Sequence, residues 1–103
     1  MIYALLLEEN KLFVGETMVG RSVEAMYVLH CVYLESWMKQ YHPIEIYWKG
    51  YGDLDQYVLV FMDIYGIDQV RGGKYVDLEV NVREIQQEIR IMKQRGCGKS
   101  CFS

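Results

Sequence analysis

The side chains able to do chemistry in this 103-residue sequence are scattered, and their spacing limits what each could do. His30 recurs with Val23, Tyr27, Leu34, Trp37 and Tyr41 at three- and four-residue intervals. A histidine on such an apolar stripe reads as a satisfied core or interface residue, not as a base. Tyr3, between Ile2 and Ala4, reads as a strand aromatic. Arg71 stands beside Gly72-Gly73, where it could contact a phosphate or bond loop carbonyls. Gly98-Lys99-Ser100 ends like a phosphate-binding loop, but Lys93 occupies the place of the leading glycine and no helix can follow. That reading is rejected. Cys97 and Cys101 form a C-x3-C pair, half of a zinc site for which no second pair follows, so no metal is expected there. Cys31, among Leu29, Val32 and Leu34, reads as a buried free thiol.

Charge separates the two ends of the chain. Residues 1–70 hold four basic and ten acidic side chains, and residues 71–103 hold seven basic and four acidic. The net charge of −3 argues against strong nonspecific binding to DNA. The basic end nevertheless offers Arg71, Lys74, Arg83, Arg90, Lys93 and Arg95 to a nucleic acid or an acidic protein. With 51% hydrophobic residues the chain has the makings of one modest core. No apolar run reaches membrane-spanning length, and Met1-Ile2-Tyr3 lacks a basic leader. A soluble protein of the cell interior, cytoplasmic or nuclear, with no membrane partner, is the expectation.

The elements that must position these residues follow from periodicity. Ile2–Leu7 and Leu12–Val14 flank Glu8-Glu9-Asn10-Lys11 as a hairpin, though Glu9-Asn10 is not an ideal two-residue turn. The first run is apolar on both faces, as in a strand covered on both sides. A helix is expected from Val23 to Tyr41, stopped by His42-Pro43. Ile44 to Trp48 reads as a third strand, with Ile44, Ile46 and Trp48 on one face and Glu45 and Tyr47 on the other. Asp53 can cap a helix over Leu54–Tyr65, which is apolar almost all round and is stopped by Gly66. Ile67–Tyr75 reads as a loop with paired glycines. Asn81–Arg95 reads as a last helix with Val82, Ile85, Ile89 and Met92 on one face. The expected class is α+β: a small three-stranded antiparallel sheet flanked by helices. Residues 1–75 form the core, 76–96 a C-terminal helix and 97–103 a flexible tail.

Three stretches carry a family resemblance. Ile2-Tyr3-Ala4 followed by Phe13-Val14-Gly15 resembles the core of the GIY-YIG nucleases. Trp37-Met38-Lys39-Gln40-Tyr41-His42-Pro43-Ile44 and Tyr65-Gly66-Ile67-Asp68-Gln69-Val70-Arg71-Gly72-Gly73 resemble a branch of that family found in eukaryotes and large DNA viruses. The likeness spans residues 2–75, and the Tyr65–Gly73 run is its most specific part.

The resemblance implies a three-stranded sheet between helices. It also implies a site built from a Tyr on each hairpin strand, an Arg on the first helix and a metal-binding Glu on a later helix. Such a site cleaves phosphodiesters with an activated nucleophile, a cation against phosphate charge and a carboxylate on a divalent metal. Tyr3 matches the first Tyr, but the second falls at Phe13, which has no hydroxyl. The Arg belongs near Val23, so Arg21 is its nearest candidate, and the Glu falls at Val60. Asp55 and Asp63 lie five and three residues from Val60, and only Asp63 shares roughly its helical face. The expected protein is therefore a non-catalytic interaction or accessory protein of a large DNA virus or its host, with a protein partner or a copy of itself and no cofactor. Two alternatives remain open. One is a structure-specific DNA endonuclease with a relocated Mg²⁺ or Mn²⁺ site using Tyr3, Arg21 and Asp63 or Glu16; the other is a nucleic-acid binder without cleavage.

Overall fold

The computed structural model describes residues 1–32, 36–77 and 79–95. The Gly98–Ser100 run and Cys97 and Cys101 lie outside them, as does the expected tail. The chain is α+β, and its first strand, β1 (Ile2–Leu7), is an inner strand with a layer of helices on each side. That placement explains its unbroken apolar run: Ile2 and Ala4 pack into one layer, and Tyr3, Leu5 and Leu7 into the other. β2 (Leu12–Glu16) pairs antiparallel with β1, setting Tyr3 opposite Gly15 and Leu5 opposite Phe13. The connecting turn places Glu9 and Asn10 both at positive φ, 58° and 59°, and closes with Lys11 N–H donating to the Glu8 carbonyl at 3.3 Å. This is the backbone of a tight hairpin turn, carried by a residue pair poorly suited to it.

β3 (Pro43–Gly50) pairs antiparallel with the other side of β1, and a bulge corrects the expected alternation. Ala4 pairs with Trp48 and Leu5 with Ile46, so Tyr47 is an extra residue without a partner on β1. Trp48 therefore packs against Tyr57 and Phe61, while Ile46 faces the opposite layer. The two do not share a face.

The sheet also has a fourth strand where a loop was expected. β4 (Val70–Gly72) runs parallel to β2 with Phe13 beside Arg71 and Val14 beside Gly72, giving the order β3-β1-β2-β4. The sheet is mixed, not three-stranded antiparallel. Gly72 sits at φ 150°, and a Cβ there would overlap the Val14 carbonyl, so this close approach requires glycine.

One face of the sheet carries α1 (Val23–Val32) and α2 (Ser36–Gln40), both within the helix expected over 23–41; residues 33–35 between them lie outside the described set. The other face carries α3 (Leu54–Tyr65) and α4 (Val82–Gln94). α3 has the expected bounds, with the Asp53 carboxylate accepting from Gln56 N–H at 3.0 Å and Gly66 at its C-terminal end. Six consecutive residues, Tyr57 to Met62, are buried because α3 lies between the sheet and α4. Ile85, Ile89 and Met92 of α4 join the same core. Among the described residues no helix is long and apolar enough to cross a membrane.

Candidate functional site

Tyr3 is 1% exposed and lies under α1. Its ring can cross β2 because Gly15 stands opposite; a Cβ at Gly15 would come within 2.5 Å of the phenolic oxygen. The hydroxyl meets His30 Nε2 at 2.6 Å. Phe13, where the resemblance expected a second Tyr, presents its ring edge-on to the same imidazole with 5.1 Å between ring centres. Tyr3, Phe13 and His30 are thus brought together, and His30 is satisfied in the way its apolar stripe suggested.

The other expected members are elsewhere. Arg21 is exposed and lines a surface hollow of about 390 Å³ with Thr17, Lys49 and Tyr51 among others, and Tyr3 does not line it. Val60 is 2% exposed in the layer on the opposite side of the sheet from Tyr3. Asp63, on that same α3, turns toward α4 and pairs with Lys93 at 3.0 Å. Glu16 is exposed at the end of β2. Among the described residues no group of three or more His, Cys, Asp or Glu side chains is arranged to hold a metal ion.

Arg71 takes the second of its two readings. It is 3% exposed, and its guanidinium donates to the carbonyls of Asp77 at 2.8 Å, Ile67 at 2.6 Å and Val70 at 2.8 Å. It also lies 4.6 Å from the centre of the Trp37 ring. Burial disfavours its charged form and draws its pKa down, against the opposing pull of Asp68. As a phosphate contact Arg71 is therefore corrected: its donors face inward. The Lys11 ammonium approaches the Trp37 and Tyr41 rings at 5.8 and 5.1 Å while bonding Gln69 Oε1. This cationic and aromatic cluster had no signature in the sequence, because the parallel pairing of β2 with β4 brings Lys11 near Arg71 and the packing of α2 adds Trp37.

Of the remaining cations proposed for nucleic acid, Lys74 pairs with Glu88 at 3.7 Å and Lys93 with Asp63. Arg83, Arg90 and Arg95 are exposed along and just beyond α4. Cys31 is exposed, not buried, because α1 turns that side of the helix away from the sheet. Its neighbour Tyr27 donates to the Ile44 carbonyl at 2.7 Å, and burial together with Cys31 raises the phenol's pKa.

Comparison with protein-family models, curated proteins and solved structures finds no match to this chain.

Proposed function

We propose that this chain is a non-catalytic interaction module on a GIY-YIG-like scaffold, an accessory protein that binds a partner. The observation that carries the reading is the separation of the residues a cleavage site needs. The Tyr3 phenol is spent on His30 beneath α1, with Phe13 beside it. Val60, where a metal carboxylate belongs by resemblance, lies across the sheet in an apolar layer. A phosphodiester and a divalent ion have to meet all of these groups at once, and a sheet cannot be reached through. What remains for function is surface, and exposed Val, Ile and Tyr side chains supply it.

The test incubates the full chain with branched and nicked DNA in Mg²⁺ or Mn²⁺. No cleavage is expected. Metal-dependent cutting abolished by Tyr3→Phe would falsify the reading. Affinity for DNA that falls steeply with added salt would instead favour a binder acting through Arg83, Arg90 and Arg95.

A further inference from the structure

We propose that the outer face of α1 and the open edge of β3 form one self-association surface, and that its occupant is a second copy of this chain. The proposal rests on the interaction reading above and names the partner. In ten residues α1 carries one acidic side chain, Glu24, and only Val23 and Met26 are buried. Val28 and Val32, one turn apart, are 59% and 65% exposed, and Cys31 between them is exposed as well. The stripe continues onto the sheet through the bond from Tyr27 to the Ile44 backbone, and the Ile44 side chain is 52% exposed. Beyond β3 no strand follows in the sheet among the described residues, so its outer edge is unpaired; Tyr47 belongs to the other face, where its hydroxyl meets that of Tyr65 at 2.7 Å. An apolar stripe running into an unpaired strand edge marks an interface.

Charge and size select the occupant. The rim of the stripe is the Glu24–Lys49 pair, 2.9 Å apart and half exposed. An acid beside a base is complementary to its own image across a two-fold axis, since each Glu24 can face the other copy's Lys49. A uniformly acidic or basic partner would leave one of the two opposed by like charge. A standard interface takes about 800 Å² from each side, roughly an eighth of this chain's 6359 Å². α1 alone, about 15 Å long, is too small for that. The eight residues of β3, about 26 Å, extend the surface, and isologous pairing uses both elements on both copies.

The test is sedimentation velocity of the full chain under reducing conditions over a concentration series. Val28→Glu and Val32→Glu are compared with Ile91→Glu, an exposed position on α4. Wild type and Ile91→Glu are expected to dimerise reversibly. Val28→Glu and Val32→Glu are expected to weaken dimerisation by roughly tenfold or more, with unchanged circular dichroism. Reversing Glu24 or Lys49 alone should weaken it, and reversing both should restore it. A monomer at every concentration, or a dimer indifferent to Val28→Glu and Val32→Glu, overturns the proposal. A dimer that cuts DNA keeps it and removes the non-catalytic reading; a monomer that leaves DNA intact does the reverse.

Discussion

The Tyr3 hydroxyl meets His30 Nε2 at 2.6 Å only because residue 15, directly across the strand pair, has no side chain. The phenol is thereby enclosed and committed to a structural bond. Tyr3→Phe should cost about 1 kcal/mol, because it removes a part-buried bond between the sheet and α1. Urea unfolding should show a lower midpoint at unchanged slope. An unchanged midpoint would mean the bond contributes nothing.

Supplying the residue types that the nuclease resemblance expects should not create cleavage activity. Phe13→Tyr adds an oxygen beside His30, whereas Val60→Glu drives a carboxylate into the apolar layer across the sheet. Val60→Glu is expected to destabilise by about 3 kcal/mol or more. The double variant should take up no Mn²⁺ by calorimetry and should cleave no DNA.

Arg71 bridges Ile67, Val70 and Asp77 through their carbonyls while stacking on Trp37. Arg71→Ala removes one buried bond, to Val70, and two part-buried ones, to Ile67 and Asp77, together with the contact on Trp37, at an expected loss of about 2–3 kcal/mol. Arg71→Lys should recover little, because a compact ammonium cannot reproduce the planar fork or its stacking. Equal stability of the Lys variant and wild type would show that charge alone is what this position requires.

Glu9 holds φ 58° and ψ 32°, a left-handed conformation that a residue with a Cβ adopts at a cost. Glu9→Gly should raise stability by about 0.5–1 kcal/mol, and Glu9→Asn by less. Thermal melts of the two variants give the order.

Tyr75 donates to the Glu88 carboxylate, and burial followed by that bond raises its phenol well above the ordinary value of 10.0. In the unfolded chain the same phenol ionises near pH 10, so above that pH the folded state binds more protons than the unfolded one. Stability contributed by Tyr75 is complete below pH 10 and declines as pH rises beyond it. Tyr75→Phe should make the alkaline decline shallower, as read by denaturation at successive pH values. An identical slope would exclude Tyr75 as its source.

Elements with a strong local pattern were legible in the sequence. α3 was fixed at both ends by Asp53 and Gly66, and β1 announced its two covered faces through an unbroken apolar run. β4 was not legible, because three residues carry no period and their partner, β2, lies more than fifty positions away. The reversal between Ile46 and Trp48 was hidden for a related reason: a bulge is decided by the neighbouring strand, not by alternation within β3. The resemblance singled out Tyr3, Phe13 and Val60, and of these Tyr3 and Phe13 meet at His30. That Val60 lies across the sheet from the other two depends on which layer each element joins, and no local spacing encodes that.

The inner position of β1 bears on how the chain assembles. Its antiparallel neighbour β2 follows within a few residues, but its other neighbour begins at Pro43, and β4, which extends the sheet past β2, begins at Val70. During synthesis the hairpin is made long before it can be sandwiched, and both of its margins stay open in the meantime. Completing the sheet therefore depends on pairings distant in sequence, which slow folding relative to a sheet built from hairpins alone.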